Sequence, residues 1–269
     1  ATKIMKFTKM HGLGNDYLYV FSDDEPADPE SLSIKLSERH FGVGSDGMIW
    51  ILPSKIADFK MRIFNADGSE AMMCGNGIRC VGKYVYDKGY TDKKRLTVET
   101  LSGIKTLELT VENGKVSSVT VGMGRAFVGE SASVVIDGNA VEYTPVSMGN
   151  PHAVVFTGDA EHAPLTDIGA KMEHDHAFPG GVNVEFVQVL APDKLRMRVW
   201  ERGSGITMAC GTGACASVAA SVAAGFCKPD SGVEVALDGG SLHISVSAGN
   251  DVTMTGPAET VFEGETADD

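Results

Sequence analysis

The sequence lacks several features that define broad classes of protein. No apolar run approaches the roughly 18 residues that a membrane-spanning helix needs, and residues 1–7 lack the apolar core of a signal peptide. Basic residues are few, with 23 Lys and Arg against 36 Asp and Glu, and they are scattered along the chain. This balance argues against a surface that binds nucleic acid or anionic lipid. We therefore expect a cytoplasmic protein without a nucleic-acid or membrane partner.

Cysteine is also scarce. Five cysteines in 269 residues are an odd number in a long chain, which makes a disulfide framework a poor interpretation. Reactive or buried thiols in a reducing compartment fit better. Glycine, by contrast, is abundant at 32 residues, which predicts many tight turns and close backbone approaches.

The sequence repeats itself at an offset of 136 residues, the separation of Cys74 and Cys210. The ungapped segments are MRIFNADGSEAMMCGNG (61–77) and MRVWERGSGITMACGTG (197–213), in which Asn65 is answered by Glu201. Upstream of each segment lies a Gly-Asn pair, ending at Asn15 and at Asn150. Matched Cys, Met, Arg and Gly residues together with this long-range spacing favour an internal duplication over chance similarity.

Duplicated halves usually pack about a pseudo-twofold axis, and ligand clefts commonly form at such junctions. We therefore expect an α+β fold with two pseudo-symmetric lobes, each mainly antiparallel sheet wrapped around a central helix. The predicted lobes are residues 1–128, joined by a C-terminal strand at 258–269, and residues 129–257. The active site is expected in the cleft between them, with Cys74 and Cys210 facing each other.

Each of these two cysteines precedes a predicted helix. The patterns predict helices over 76–88 and 211–224, which end at Gly89 and Gly225. The positive end of a helix dipole and its free N–H groups favour negative charge. We therefore expect both thiols to be acidified toward thiolate and the same N–H groups to bind a substrate carboxylate.

Two thiols on opposite faces of one carbon suit the inversion of an α-carbon, which needs a base on one face and an acid on the other. Neither matched segment contains a lysine that could anchor pyridoxal phosphate. The spacings Cys74-x5-Cys80 and Cys210-x4-Cys215 do not resemble a structural zinc site. The G-x-G-x-x-G match at 42–47 follows a helix and precedes a strand, opposite to a dinucleotide loop, so it predicts a turn. We expect neither a metal nor another cofactor.

At this point the sequence resembles the diaminopimelate epimerase family along essentially its whole length. Six motifs in order carry the resemblance: MHGLGNDY (10–17), RHFGVGSDG (39–47), FNADGSEAMMCGNGIRC (64–80), GNPHAVV (149–155), GVNVEF (181–186) and WERGSGITMACGTGAC (200–215). The resemblance implies interconversion of LL- and meso-diaminopimelate without metal or pyridoxal phosphate, in lysine and peptidoglycan precursor biosynthesis. It also implies a homodimer.

The resemblance further implies roles for individual residues. Cys74 and Cys210 would be the acid/base thiols, and His152 and Glu201 would support them or the bound α-amino group. The following side chains would hold the polar groups of the substrate: Asn15, Asn65, Asn150, Asn183, Glu201 and Arg202. The following residues would bind the α-carboxylate through their backbone: Gly75, Asn76, Gly211 and Thr212.

Three alternatives remain open. A two-thiol racemase of another amino acid, such as proline or hydroxyproline, would keep the mechanism and change the substrate; Asn76 and the sequence preceding Cys210 argue against it. A non-catalytic relative and a thiol redox protein are the others. Family members often carry Gln at the position of Gly47 and Glu or Gln at that of Ile206, so this chain departs from the pattern at both.

Overall fold

The two repeated segments lie in different structural units. The computed structural model describes residues 4–267. One unit runs to Val121 and is completed by residues from Gly256 onward, and the other comprises Gly122–Thr255. The predicted lobes, 1–128 with 258–269 and 129–257, stay a prediction of domain organisation, and their residues 1–3 and 268–269 lie outside the described residues.

The secondary structure is dominated by strands. The first eight are β1 Lys6–Gly12, β2 Asn15–Phe21, β3 Gly47–Leu52, β4 Phe59–Asn65, β5 Glu70–Ala71, β6 Arg95–Thr100, β7 Gly103–Glu112 and β8 Lys115–Arg125. The next ones are β9 Phe127–Val128, β10 Ala132–Ile136, β11 Asn139–Ser147, β12 Pro151–Phe156, β13 Asn183–Ala191 and β14 Lys194–Glu201. The last ones are β15 Gly205–Ile206, β16 Gly232–Leu237, β17 Gly240–Val246, β18 Asp251–Pro257 and β19 Glu259–Glu265.

The helices are fewer and short. They are α1 Pro29–Ser37, α2 Gly75–Asp87, α3 Ala170–Glu173 and α4 Gly211–Ala223, with a π-helical turn at Leu165–Gly169. Among residues 4–267, none of the helices has the length and apolarity to cross a membrane.

The strand pairings of the two units follow the same pattern, which supports the duplication. In the first unit β1–β2 are antiparallel, β2–β3 parallel, β3–β4 antiparallel and β4–β6 parallel, and β6–β7–β8 form antiparallel hairpins. In the second unit β11–β12, β12–β13, β13–β14, β14–β16 and β16–β17–β18 repeat this series. The predicted α+β class is confirmed, and each unit also contains two parallel pairings that the sequence pattern did not predict.

The helices α2 and α4 that follow the cysteines are the central helices of the sheets. The predictions at 76–88 and 211–224 are confirmed to within one residue at each end. Both helices end before a glycine with positive φ, Gly89 at 78° and Gly225 at 80°, because the left-handed conformation after a helix suits glycine. Ten of the thirteen residues of α4 are buried, as expected for a helix that is small and apolar on all sides.

The opposite face of each sheet is covered as well. In the first unit, Leu18, Val20, Met48 and Trp50 pack with Leu36 of α1. All six residues of β3 are buried, which explains why its sequence is continuously apolar instead of alternating. The second unit has a matching cluster around the π-helical turn and α3. Each sheet is therefore buried on both faces, and its cysteine lies on the face that carries α2 or α4.

The C-terminal strand β19 belongs to the first unit. It pairs with β1 in antiparallel register, with Lys6 opposite Glu265 and His11 opposite Glu259. The carbonyl of Pro257, just before β19, accepts a hydrogen bond from Arg79 of α2 at 3.0 Å. The end of the chain thus completes the sheet that supports α2.

Candidate active site

Cys74 and Cys210 are the N-cap residues of α2 and α4. Cys74 has φ −143° and ψ 119°, and its Sγ accepts a hydrogen bond from the N–H of Gly77 at 3.3 Å. Cys210 has φ −120° and ψ 105°, and its Sγ accepts from the N–H of Gly213, also at 3.3 Å. A side-chain acceptor at this position satisfies one of the free N–H groups of the first helical turn. The predicted placement of both thiols at helix N-termini is confirmed.

Two uncharged side chains, those of Asn15 and Tyr17, contact Cys74. The thiol donates to Asn15 Oδ1 at 3.3 Å, and the hydroxyl of Tyr17 donates to Sγ at 3.7 Å. A second hydrogen bond fixes the orientation of the Asn15 side-chain amide, because its Nδ2 donates to Asp46 Oδ2 at 2.8 Å. Asn76 Nδ2 approaches the same Asn15 oxygen at 3.4 Å. Asn15 and Asn76, both predicted site residues, thus lie beside Cys74.

Tyr17 was not predicted as a site residue. Burial raises the pKa of its hydroxyl well above the usual value, and neighbouring Cys74 raises it further. The hydroxyl therefore stays protonated and acts as a donor to the sulfur. The repeat contained the signal for it, since Tyr17 follows Asn15 by two residues as His152 follows Asn150.

Arg79 is a second residue that sequence reasoning missed. Its side chain is fully buried, and it donates to Asn76 Oδ1 at 2.9 Å and to the carbonyl of Gly75 at 3.2 Å. A methyl group at Gly12 would lie 2.8 Å from its Nη2 and 3.1 Å from the carbonyl oxygen of Asn76, so a larger residue there would crowd the guanidinium and the first turn of α2. Arg79 therefore fixes the first turn of α2, including two residues predicted to bind the substrate carboxylate.

Asn65 and Gly47 lie at neighbouring strand ends of the same sheet, paired across β3 and β4. Asn65 Nδ2 donates to Ser69 Oγ at 3.0 Å within the turn that follows β4. A methyl group at Gly47 would lie 2.2 Å from the carbonyl oxygen of Phe64. The backbone therefore leaves no room here for the longer side chain that many family members carry.

The surroundings of Cys210 are charged. The Glu201 carboxyl accepts a hydrogen bond from the hydroxyl of Thr207, and it lies close enough to the Cys210 thiol for the two groups to shift each other's pKa. Burial raises the pKa of the Glu201 carboxyl above its usual value, and the nearby Glu185 carboxylate raises it further. Thr212 Oγ1 lies 3.8 Å from the sulfur. Of the predicted residues, Glu201 and Thr212 are thus brought to Cys210.

A chain of hydrogen bonds leads from Thr212 into the interior of the second unit. Asn150 Nδ2 donates to Thr212 Oγ1 at 3.2 Å, and Asn150 Oδ1 lies 3.0 Å from His152 Nε2. His152 Nδ1 lies 2.6 Å from Glu185 Oε1, and both side chains are completely buried. His152 and Asn150 were predicted, whereas Glu185 was not.

The prediction that the helix terminus acidifies both thiols is wrong for Cys210. Burial raises the pKa of this thiol well above its usual value, and the carboxylates of Glu201 and Glu185 raise it further. The N–H of Gly213 and the hydroxyl of Thr212 act in the opposite direction but are weaker. Burial and two neighbouring acids thus outweigh the favourable field of the helix end, and this environment favours the neutral thiol of Cys210.

Asn183 and Arg202 lie further along the same sheet. Asn183 Nδ2 donates to the carbonyl of Pro151 at 3.0 Å, and its Oδ1 accepts from the backbone N–H of Arg202 at 2.9 Å. The guanidinium of Arg202 is exposed and donates to the carbonyl of Gly180 at 3.3 Å. Asn183 therefore positions the backbone of Arg202, and their predicted contacts with substrate remain predictions.

Comparison with known proteins connects this arrangement to one family. The family model described as diaminopimelate epimerase matches residues 7–128 and 144–261. The diaminopimelate epimerase of Acetivibrio thermocellus is 52% identical over 276 residues, covering 97% of this chain and 98% of the relative. That of Parabacteroides distasonis is 54% identical over 266 residues, covering 98% of each.

A solved structure of a hydroxyproline epimerase from Agrobacterium vitis superposes with a TM-score of 0.72 at 18% identity, covering 98% of this chain and 91% of that one. This likeness shows that the fold is shared. The family match and the identity to the two relatives decide the assignment. The chain belongs to the diaminopimelate epimerase family.

Proposed function

We propose that this protein interconverts LL- and meso-diaminopimelate, with Cys74 and Cys210 as the two acid/base groups. The reaction is an isomerisation at one α-carbon that uses neither pyridoxal phosphate nor a metal. Its product serves lysine and peptidoglycan precursor biosynthesis. Membership of the diaminopimelate epimerase family supports the substrate, and the two thiol sites support the mechanism.

The observation that carries the mechanism is the matched capping geometry of the two thiols. Each Sγ lies 3.3 Å from the N–H of the third residue of its helix. In the proposed reaction one thiolate takes the α-proton as the C–H bond breaks, and the other thiol gives its proton to the opposite face. The enzyme is left with the protonation of the two sulfurs exchanged, so the reverse substrate uses the same groups in opposite roles.

The developing negative charge would be stabilised at the helix ends. In this proposal the backbone N–H groups of Gly75 and Asn76, and of Gly211 and Thr212, bind the α-carboxylate, since the first N–H groups of a helix lack internal partners. Donors fixed before the reaction begins stabilise a carbanion without reorganising.

The remaining predicted residues would recognise the substrate. The raised pKa of the Cys210 thiol supports its role as the acid, because it favours the protonated thiol before substrate binds. His152 and Glu201 would support Cys210 in this role. The polar groups of diaminopimelate would be held by these side chains: Asn15, Asn65, Asn150, Asn183, Glu201 and Arg202.

We further propose a homodimer in the cytoplasm. Val261 and Phe262 of β19 are 53% and 43% exposed, which leaves apolar area for a second copy. Among the described residues, Cys80, Cys210 and Cys227 are free thiols, as suits a reducing compartment. A solution mass of two chains by light scattering would support the dimer, and a mass of one chain would contradict it.

Proton exchange tests the function. Reduced protein, assayed free of metal and pyridoxal phosphate, is incubated with LL-diaminopimelate in heavy water, with L-proline as a parallel substrate. We expect NMR to show deuterium at the α-carbon of the meso product and no exchange on proline. Exchange on proline alone would keep the two-thiol mechanism and overturn the substrate, whereas no exchange on either would overturn the proposed function.

A further inference from the structure

Glu185 is a buried carboxylate at a position where the other unit has an apolar residue. In β13, Glu185 lies opposite Val154, and in β3, Ile49 lies opposite Tyr19. Val154 and Tyr19 each follow the matched Gly-Asn pair of their unit by four residues. Glu185 and Ile49 are therefore structural equivalents.

The two side chains pack against equivalent positions of α2 and α4. A methyl group at Gly77 would lie 2.7 Å from Ile49 Cδ1, and one at Gly213 would lie 2.8 Å from Glu185 Oε1. The N–H of each glycine is the group that donates to the catalytic sulfur. The first turn of α4 thus meets a carboxylate where that of α2 meets a methyl group.

Packing alone does not explain Glu185. Its side chain is completely buried, Oε1 contacts His152 Nδ1 at 2.6 Å, and Oε2 has no hydrogen-bond partner within residues 4–267. Burial of a carboxylate with one oxygen unpaired is unfavourable. The equivalent Ile49 fills the same space without that penalty, so the acid must serve something other than stability.

We propose that Glu185 is a positioning residue of the Cys210 site, which holds the His152 ring with a proton on Nδ1 and keeps a negative charge against the start of α4. This proposal rests on the proposed function of Cys210 as an acid/base thiol. Glu185 acts on the sulfur in two ways. One is direct, through its charge at the Gly213 end of the helix. The other runs through His152 and Asn150 to Thr212, which lies 3.8 Å from the sulfur.

The titratable groups that face Cys210 come from three strands. Glu201 at the end of β14, Glu185 in β13 and His152 in β12 face this site, and α4 contributes uncharged donors. Glu185 contacts His152 Nδ1, whereas the Glu201 carboxyl is hydrogen-bonded to the hydroxyl of Thr207. Substitution of each acid in turn therefore separates the effect of charge from the control of the ring.

The test is an NMR titration of protein labelled at cysteine ¹³Cβ and histidine ¹⁵N, without substrate. The cysteine signals report ionisation without requiring access to a reagent, and Cys74 in the same molecule is the internal reference. In Glu185→Gln we expect the ionisation midpoint of Cys210 to fall by about one pH unit or more, the usual effect of removing a nearby like charge. The midpoint of Cys74 should stay unchanged.

The ring of His152 gives the second result. Glu185→Gln keeps an acceptor for Nδ1–H and should preserve the ¹⁵N pattern of a ring protonated at Nδ1, whereas Glu185→Leu should lose it. Glu201→Gln is the matched control, expected to lower the Cys210 midpoint without changing the His152 pattern. If Glu185→Leu does not fold, the proposal is tested by the Cys210 midpoint and the His152 ¹⁵N pattern of Glu185→Gln, compared with those of Glu201→Gln.

Two results would overturn the proposal: a Cys210 midpoint in Glu185→Gln equal to that of the unsubstituted protein, or equal shifts at Cys210 and Cys74. Because the titration involves no substrate, it is independent of turnover. A failure of the heavy-water assay with a shifted Cys210 would count against the proposed function alone. A working assay with an unshifted Cys210 would count against the role of Glu185 alone.

Discussion

Cys74 and Cys210 occupy the same backbone position in two units with the same strand pairing, yet their neighbours differ in charge. Asn15 and Tyr17 contact Cys74, and both are neutral. Cys210 lies beside Glu201, with Glu185 behind it. A duplicated scaffold thus supplies two equivalent thiols, and a few substitutions on neighbouring strands make them chemically different.

This difference matters because an epimerase needs one base and one acid at any moment. Two identical sites would give both thiols the same tendency to ionise. Burial and two acids raise the pKa of the Cys210 thiol, which favours a single protonation pattern before substrate arrives. The largest effects should come from removing either thiol, and smaller ones from making the second unit resemble the first.

The largest expected effect is the loss of a thiol. Cys74→Ala and Cys210→Ala should each lower the epimerisation rate by about 10³-fold or more, since each removes the acid or base on one face. The fold should persist, because loss of a capping side chain costs only about 1 kcal/mol. NMR in heavy water measures the rate, and Cys227→Ala is the control, expected to retain activity. Turnover near that of the unsubstituted protein in either alanine variant would contradict the two-thiol mechanism.

The next effect concerns the equivalent residues His152 and Tyr17. His152→Ala leaves Glu185 buried without a partner, and breaking such a pair typically costs about 3–5 kcal/mol in the free energy of unfolding. Tyr17→Phe removes one hydroxyl and should cost about 1 kcal/mol. Urea denaturation measures the free energy of unfolding of both variants.

The double variant His152→Tyr with Glu185→Ile is the matched control, because it places the residue pair of the first unit in the second. It should recover much of the stability lost in His152→Ala while remaining poorly active. If His152→Ala is no more destabilising than Tyr17→Phe, the buried 2.6 Å contact between His152 and Glu185 does not stabilise the fold as expected.

The comparison of the units also explains what the sequence could predict. The repeat, both helices and the capping positions of the cysteines depend on local patterns, and all three were predicted. The pKa of Cys210 was not, because it depends on how completely the thiol is buried and on the field of two carboxyl groups, Glu185 in β13 and Glu201 at the end of β14. Only the three-dimensional packing shows that these carboxylates outweigh the helix terminus.

Glu185 and Arg79 were missed for a related reason. Each is a charged residue within an apolar run, in GVNVEFVQV and in GNGIRCVGKYV, and such a residue is usually assigned to an exposed face. An alignment of the two halves would have matched Glu185 with Ile49 and Arg79 with Cys215. A charge opposite an apolar residue in a duplicated core is therefore a signal that can be searched for in the sequence.

The smallest expected effect comes from Glu201, whose counterpart in the first unit is the neutral Asn65. Burial raises the pKa of Glu201 in the folded protein, so the folded state holds this proton more tightly than the unfolded state does. Its contribution to stability is then complete at low pH and is lost as the pH rises from about 4.3, the unfolded value, through the higher folded value. Glu201→Gln should therefore raise the free energy of unfolding at pH 7 by about 1 kcal/mol, the common gain when a strained functional group is removed. It should leave stability at pH 4 nearly unchanged and lower the epimerisation rate.

Urea denaturation at both pH values measures the change in stability, with Glu112→Gln as a control that removes an equal charge from the exposed end of β7. An equal gain in the two variants would assign the effect to net charge, and a loss of stability at pH 7 would mean that the hydrogen bonds of Glu201 outweigh the cost of its burial.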